Sequence, residues 1–268
     1  MAIQLGWKTL KSSLLGGTYI VLGADGKLGP HWVEAIISNG GKVIALGLKA
    51  KSDARLQSIA RDYQGNLTVF DYDINTSSLE FLKSEIETFI SGVVLNAGID
   101  SLPGAGHPNI EDFSVNEWES TFKVNLFGNV GFLNFILKNF KLKKACVVFI
   151  GSMYSQVSPQ IDLYSHFNQG LGATKNPAYS ASKAALASVV RQYGTNLASR
   201  GIRVNMLSPG GVIGNQDAIF IEKFKKNSPT GKMIDPETLG DHLVYLLSPM
   251  SSSLIGQNVI VDDGYTVW

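Results

Sequence analysis

Residues 18–29 read TYIVLGADGKLG, a five-residue strand-like run that leads directly into a turn containing three glycines. A helical pattern covers residues 31–38, Asn39-Gly40-Gly41 closes it, and a second strand-like run begins at Lys42. Strand, glycine turn, helix and strand in this order predict the opening βαβ unit of a dinucleotide-binding fold. The glycines of such a turn allow the backbone and the N–H groups at the helix start to approach a pyrophosphate.

The same alternation continues through the rest of the chain. The seven strand-like runs are 18–22, 42–46, 66–70, 92–95, 145–150, 203–207 and 258–261. Helical patterns are found at 31–38, 52–63, 78–89, 116–139, 177–199 and 235–247. This order predicts an α/β fold of the doubly wound Rossmann type, with a mainly parallel seven-stranded sheet and helices on both faces. We expect one domain over residues 1–268.

Ligands of doubly wound sheets bind beyond the carboxyl ends of the strands. The segments that follow the predicted strand ends are 23–29, 71–74, 96–98, 152 and 209–212. We therefore expect these segments to line one crevice.

Composition is that of a globular protein and gives no reason to propose nucleic acid or an anionic membrane as a partner. Of the 268 residues, 44% are hydrophobic and 17% are charged, and the net charge is +1. No basic block predicts nucleic acid or an anionic membrane as a partner. The single cysteine, Cys146, lies in an apolar run and fits a reducing compartment. With no signal-like N-terminal segment, we expect a cytoplasmic location.

A second stretch, residues 176–183, reads NPAYSASK. Asn176 suits a helix N-cap and Pro177 the first helical position. Tyr179 and Lys183 are then four residues apart on one helix face. A neighbouring ammonium favours the phenolate and lowers the pKa of a tyrosine. By itself, such a pair is more often an ordinary surface contact.

The motifs together resemble the short-chain dehydrogenase/reductase family over residues 14–265. They are the turn at 23–29, Asp73-Ile74, Asn96-Ala97-Gly98, Val124-Asn125-Leu126, Gly151-Ser152, 179–183, 201–205, Pro209-Gly210, Gly256-Gln257 and Val261-Asp262. Each is weak alone, and their order and spacing carry the resemblance. Residues 176–183 and 262–265 also look similar to family members that serve surface-glycan or flagellin-modification pathways.

The resemblance implies hydride transfer between a nicotinamide cofactor and a carbonyl or secondary alcohol. Tyr179 would exchange the proton with the substrate oxygen, and Lys183 would lower its pKa and bind the nicotinamide ribose. Ser152 would hydrogen-bond the substrate oxygen, with a turn-capping serine as the alternative. Asn125 would hold a relay water, with a helix-bend or sheet-supporting asparagine as the alternative. The implied cofactor contacts are Gly23, Asp25, Gly26, Lys27, Leu28, Gly29, Asp73, Ile74, Asn96, Ala97, Gly98, Tyr179, Lys183, Pro209, Gly210 and Val212.

Three departures from the family pattern affect these expectations. Lys27 stands where shorter members usually carry the middle glycine, and Gly214 stands where a threonine often touches the cofactor amide. Ser152 and Tyr179 are 27 positions apart, so a substrate loop is inserted at about 153–176. The polar and aromatic residues of this loop favour a hydroxylated, sugar-like substrate. A surface excursion or a subunit contact is the alternative.

The choice between NAD and NADP depends on the end of the second strand. NAD-binding sites usually carry an acid there, about 20 residues past the glycines, whereas residues 46–51 read LGLKAK. Lys27 and Lys49 could meet a 2′-phosphate. The sequence therefore predicts NADP or NAD, with NADP slightly favoured.

Two other functions remain open at this point. The G-x-x-G-x-x-G turn is also typical of nucleotide-sugar epimerases and dehydratases that keep NAD(P) bound, and a catalytically silent binding protein could share the fold. By resemblance, the chain is expected to form a homodimer or homotetramer through the helices at 116–139 and 177–199. The expected partner is a small-molecule substrate, with no membrane, nucleic acid or metal.

Overall fold

A seven-stranded parallel sheet forms the centre of the molecule. The computed structural model describes residues 13–86, 89–100, 109–167 and 173–268. The strands are β1 Thr18–Leu22, β2 Lys42–Gly47, β3 Leu67–Asp71, β4 Ile90–Leu95, β5 Leu142–Ile150, β6 Arg203–Pro209 and β7 Asn258–Val261. Their order across the sheet is β3-β2-β1-β4-β5-β6-β7, and every pair is parallel. The predicted Rossmann-type sheet is confirmed.

Helices cover both faces of this sheet. They are α1 Gly29–Ser38, α2 Ala54–Asp62, α3 Leu82–Glu85, α4 Val115–Phe122, α5 Asn129–Asn139, α6 Pro177–Leu197, α7 Ala218–Lys226 and α8 Pro236–Leu247. Within the described parts of the chain, no helix combines the length and the apolar character needed to cross a membrane.

The apolar runs of the central strands follow from burial on both faces. In β1, Val21 packs in one cluster with Trp32 of α1 and Leu243 of α8. The neighbouring Ile20 packs in a second cluster with Phe132 of α5 on the other face. Because successive strand side chains point to opposite faces, a strand covered on both sides must be apolar throughout.

Two predicted helices differ from the structure. The single helix predicted over 116–139 is divided into α4 and α5 by a π-helical segment, Lys123–Gly128. The helix predicted over 78–89 is reduced to the short α3, which ends where the backbone becomes extended at Ile86, with φ −118° and ψ 93°. Glu87 and Thr88 lie outside the described residues. The sequence also did not predict α7.

Candidate functional site

A cleft of about 320 Å³ lies at the carboxyl ends of the strands. Its walls come from the loops after β1, β4, β5 and β6 together with the start of α6. The predicted site residues that line it are Gly26, Lys27, Leu28, Asn96, Gly98, Ser152, Tyr179, Lys183, Pro209, Gly210 and Val212. The predicted residues that stand behind or beside this lining are Gly23, Asp25, Gly29, Asp73, Ile74, Ala97 and Asn125.

The glycine turn is held by backbone contacts that leave no room for side chains. Gly23 has a φ of +76°, and a Cβ there would lie 2.7 Å from the backbone nitrogen of Ala97. Asn96 Nδ2 donates to the Gly23 carbonyl at 2.7 Å, and Trp32 Nε1 donates to Asn96 Oδ1 at 2.9 Å. A Cβ on Gly29 would collide with the Ala24 carbonyl. These contacts require glycine and fix the turn against β4.

The start of α1 fits the pyrophosphate of a dinucleotide. Its N-cap residue, Leu28, supplies no side-chain hydrogen bond to the first turn of the helix. The N–H groups and the positive end of the helix dipole can therefore act on an anion in the cleft. The bare glycine turn and the uncapped helix start together match the cofactor class that the sequence predicts.

Lys27 reaches across the cleft from this turn. Its Nζ donates to the carbonyl oxygen of Val212, after β6, at 2.8 Å. A Cβ on Gly214 would lie 2.8 Å from the same Nζ, so the missing side chain at residue 214 makes room for the ammonium. The Lys27 ammonium therefore contacts the segment after β6, and its contact with a 2′-phosphate stays a prediction.

Asp73 and Ile74 form the turn after β3 and are not among the residues that line the cleft. The Asp73 carboxylate accepts hydrogen bonds from the Asn75 N–H at 2.8 Å and from Thr76 Oγ1 at 3.1 Å. The Asn75 backbone hydrogen bond is the main cause that lowers the pKa of Asp73. Ile74 packs against Gly128 of the π-helical segment, where its Cδ1 leaves no space for a Cβ.

Ser152, Tyr179 and Lys183 come together where β5 ends and α6 begins. The Asn176 side chain caps α6 by accepting from the Ala178 N–H at 2.9 Å. Lys183 Nζ donates to the Ile150 carbonyl at 2.9 Å and lies 5.7 Å from the centroid of the Tyr179 ring. The Ser152 side chain lies close to Tyr179 and acts on the pKa of its hydroxyl. Ser152 Oγ also accepts from the Tyr154 N–H at 3.2 Å, so its turn-capping role coexists with the contact to Tyr179.

Burial dominates the electrostatics of this group. Burial raises the pKa of Tyr179 above its ordinary value, the Asp100 carboxylate raises it further, and the nearby Ser152 hydroxyl lowers it. Burial also lowers the pKa of Lys183 to about 8, against an opposing influence of Asp100. In the protein alone, burial therefore outweighs the lowering of the Tyr179 pKa that was expected from the neighbouring lysine.

Asn125 lies in the π-helical segment and is fully buried. Its Oδ1 accepts from the Ile99 N–H at 2.8 Å, and its Nδ2 donates to the Ile99 carbonyl at 3.1 Å and to Ser182 Oγ at 3.0 Å. Its own carbonyl accepts from Asn129 Nδ2 at 3.0 Å. These hydrogen bonds connect the loop after β4 to α6. They give Asn125 a structural role, which is the alternative that the sequence left open. The water relay stays a prediction.

The described part of the inserted loop packs into a small core of its own. Tyr154 and Tyr164 are buried, with their hydroxyl oxygens 3.2 Å apart. They belong to a cluster that includes Phe224 of α7 and Tyr265 near the C-terminus. His166 Nε2 lies 2.9 Å from an oxygen of Asp217, at the N-terminus of α7. Residues 168–172 of the loop lie outside the described residues.

The sequence did not identify an ion pair in the cleft, Lys175 with Asp100. Lys175 Nζ lies 2.6 Å from Asp100 Oδ2, and the lysine side chain is only 7% exposed. The same Nζ lies 5.0 Å from the centroid of the Tyr179 ring and 5.6 Å from that of Tyr154. The sequence could have indicated Lys175, because it directly precedes Asn176 and Asn176 caps the helix that carries Tyr179. In the described residues, no three His, Cys, Asp or Glu side chains gather as metal ligands would.

Comparisons with known proteins agree with this geometry. The model of a family described as enoyl-(acyl carrier protein) reductase matches residues 23–266. A flagellin modification protein A from Campylobacter coli is 25% identical over 255 residues, covering 91% of this chain and 96% of that protein.

Two further matches extend the comparison. An uncharacterized short-chain type dehydrogenase/reductase from Sinorhizobium fredii is 25% identical over 260 residues. The match covers 93% of this chain, which spans only 44% of that longer protein. A crystal structure of a short-chain dehydrogenase from Leptospira borgpetersenii with bound NAD+ superposes with a TM-score of 0.81 at 24% identity, covering 100% of this chain and 99% of the other.

Proposed function

This chain belongs to the short-chain dehydrogenase/reductase family of NAD(P)-dependent oxidoreductases, and we propose that it transfers a hydride between a nicotinamide cofactor and a carbonyl or secondary alcohol. The proposal rests on one observation. Ser152, Tyr179 and Lys183 line the same cleft as the glycine turn. The epimerase or dehydratase alternative and the silent binding protein are not favoured.

Each of the three side chains has a role that its surroundings support. A raised pKa keeps the Tyr179 hydroxyl protonated at neutral pH, which suits a proton donor to a carbonyl oxygen. The Lys183 ammonium stabilises the phenolate that remains after the proton has left. The Ser152 hydroxyl donates a hydrogen bond to the substrate oxygen, where negative charge develops. When bound, the nicotinamide cofactor supplies or accepts the hydride.

The cofactor contacts are proposed from the same cleft. The turn at 23–29 and the start of α1 hold the pyrophosphate, and Lys27 adds a positive charge beside it. Asn96, Ala97 and Gly98 border the cofactor from the end of β4. The remaining proposed contacts are Asp73 and Ile74 at the adenine and Pro209, Gly210 and Val212 at the nicotinamide amide.

We propose a hydroxylated, sugar-like substrate. Lys175 and Asp100 place a hydrogen-bond donor and an acceptor beside Tyr179. Gln216 also lines the cleft, and its buried Oε1 has no partner among the described residues. Such side chains match hydroxyl groups, and the Gln216 Oε1 would stay unpaired beside an acyl chain.

The position of Lys27 bears on the proposed choice between NAD and NADP. The slight preference for NADP rested on Lys27 and Lys49, and the Lys27 ammonium is bonded to Val212 instead. Lys49 is exposed after the end of β2. The acidic residue that bears on the choice between NAD and NADP is Asp25, which lies on the β2 side of the glycine turn.

The test is a titration of the purified protein with NADH and NADPH, followed by turnover assays on keto-sugars, polyols and a 3-oxoacyl thioester. We expect binding of a nicotinamide cofactor and turnover of the hydroxylated compounds above the thioester. A protein that binds neither cofactor would refute the oxidoreductase assignment. A tightly bound cofactor without net redox turnover would favour an epimerase or dehydratase.

The assembly is proposed to be a homodimer or homotetramer in the cytoplasm. Val115 at the start of α4 is 71% exposed, and Phe127 in the π-helical segment is 63% exposed. Large apolar side chains exposed on neighbouring helical segments support a contact between subunits. Sedimentation of the wild type and of Phe127→Ser tests this, since a dimer through this face would weaken.

A further inference from the structure

The second strand ends without an acidic residue. Its last residue is Gly47, and Leu48 and Lys49 follow. In dinucleotide-binding folds, an Asp or Glu at this point accepts hydrogen bonds from the ribose hydroxyls of NAD. None of the residues at the end of β2 can supply such a carboxylate.

A carboxylate nevertheless occupies the place, and it comes from the glycine turn. A Cβ on Gly47 would lie 2.5 Å from Cγ of Asp25 and would collide with one of its oxygens. Asp25 Oδ2 accepts the backbone N–H of Lys49 at 2.6 Å, which fixes the carboxylate against the end of β2. The Asp25 side chain therefore fills the space that a side chain at residue 47 would need.

We propose that Asp25 is the ribose-binding acid of this protein and that it makes NAD the preferred cofactor. This inference rests on the proposed function, because it concerns the cofactor of the same cleft. Among the described residues, Oδ1 of Asp25 has no hydrogen-bond donor. It accepts a ribose hydroxyl, whereas a 2′-phosphate brought to the same place meets a like charge.

Cations near the turn do not cancel this preference. The Arg55 guanidinium lies 3.4 Å from the Lys27 carbonyl and 3.5 Å from the Gly26 carbonyl. Its Nη2 is also 3.7 Å from the carboxylate of Asp53. Arg55 therefore braces the outside of the turn next to the Asp53 carboxylate, and among the described residues the hydrogen bond to the Asp25 carboxylate comes from the backbone N–H of Lys49.

The experiment measures direct binding of NADH and NADPH by fluorescence titration, without substrate. The main variant is Asp25→Asn, whose amide oxygen can still accept the Lys49 N–H. The matched control is Asp71→Asn, because Asp71 also accepts a backbone N–H, that of Lys51 at 2.9 Å, at the end of β3. Asp25→Ser is a second variant that keeps a smaller polar group if Asn disturbs the turn.

We expect the wild type and Asp71→Asn to bind NADH at least about tenfold more tightly than NADPH, and either Asp25 variant to lose about tenfold in that ratio. A wild type that prefers NADPH, or a ratio unchanged by both Asp25 variants, would overturn the inference while leaving the oxidoreductase assignment intact. Binding of neither cofactor by the wild type would refute both.

Discussion

The two halves of the cleft are built in different ways. The cofactor half consists mainly of backbone that follows directly on buried strands, such as the turn at 23–29 and the segment 209–212. The substrate half consists of side chains from residues 153–167 and α7, packed around Tyr154, Tyr164 and Phe224. The first half depends on the sheet, and the second depends on a small core outside it. We therefore expect that substrate choice can change without disturbing the parts proposed to hold a cofactor.

The largest effect is expected at the boundary between the halves, where Tyr179 stands. Tyr179→Phe keeps the ring and removes the proton donor, so turnover should fall by about 10²–10⁴-fold. Direct cofactor binding should change little, as measured by titration. Tyr193→Phe is the control, because Tyr193 lies on the same helix and donates to Asn134 at 2.9 Å, away from the cleft. Turnover that survives Tyr179→Phe would contradict the mechanism.

Lys175→Met is expected to affect only the substrate half of the cleft. The change leaves Asp100 without its partner and removes a charged donor from the cleft, so KM for a hydroxylated substrate should rise about 10-fold or more. The cofactor dissociation constant should stay within about twofold. Lys223→Met is the matched control, since Lys223 forms a similar pair with Asp162 of the same loop without lining the cleft. Equal effects of both variants would show that Lys175 acts only through loop stability.

Gly214→Thr disturbs only the cofactor half. The new side chain would meet the end of Lys27 and displace its ammonium from the Val212 carbonyl. Cofactor affinity should fall several-fold, on the order of one charged hydrogen bond. The double variant Lys27→Gly/Gly214→Thr restores the common family pattern and should recover affinity. A double variant as weak as the single one would show that the two positions are not coupled.

The smallest expected effect is a shift of the pH profile. The Asp100 carboxylate raises the pKa of both Tyr179 and Lys183. Asp100→Asn removes that influence, so the fall in carbonyl reduction at alkaline pH should begin at lower pH. Turnover measured from pH 6 to 10 at saturating cofactor tests this, with Asp162→Asn as the control. A shift towards higher pH would contradict the assigned influence of Asp100.

The sequence predicts the sheet and the catalytic group because both depend on local patterns. Continuous apolar runs reveal strands buried on both faces, and the order of strands and helices implies the shared edge where Ser152 and Tyr179 meet. The glycines at 23 and 29 were identifiable for a similar reason, since the backbone itself requires them.

Contacts between distant side chains could not be predicted in this way. Nothing in the order of residues shows that Asp25 fills the space over Gly47, or that Lys27 extends towards Gly214. The pairing of Lys175 with Asp100 likewise joins positions 75 residues apart. The π-helical segment depends on Asn129, whose side chain bonds the carbonyls of Val124 and Asn125.

Burial of Lys183 also has a cost for folding stability. Its pKa is lowered from 10.5 to about 8 in the folded protein, so between these values the unfolded chain holds a proton that the native state has released. Below about pH 8 both states are charged and the native state carries the full penalty, on the order of 3 kcal/mol. This contribution makes the protein more stable as the pH rises from 8 towards 10.5. The lysine proposed to serve the reaction therefore destabilises the fold at neutral pH.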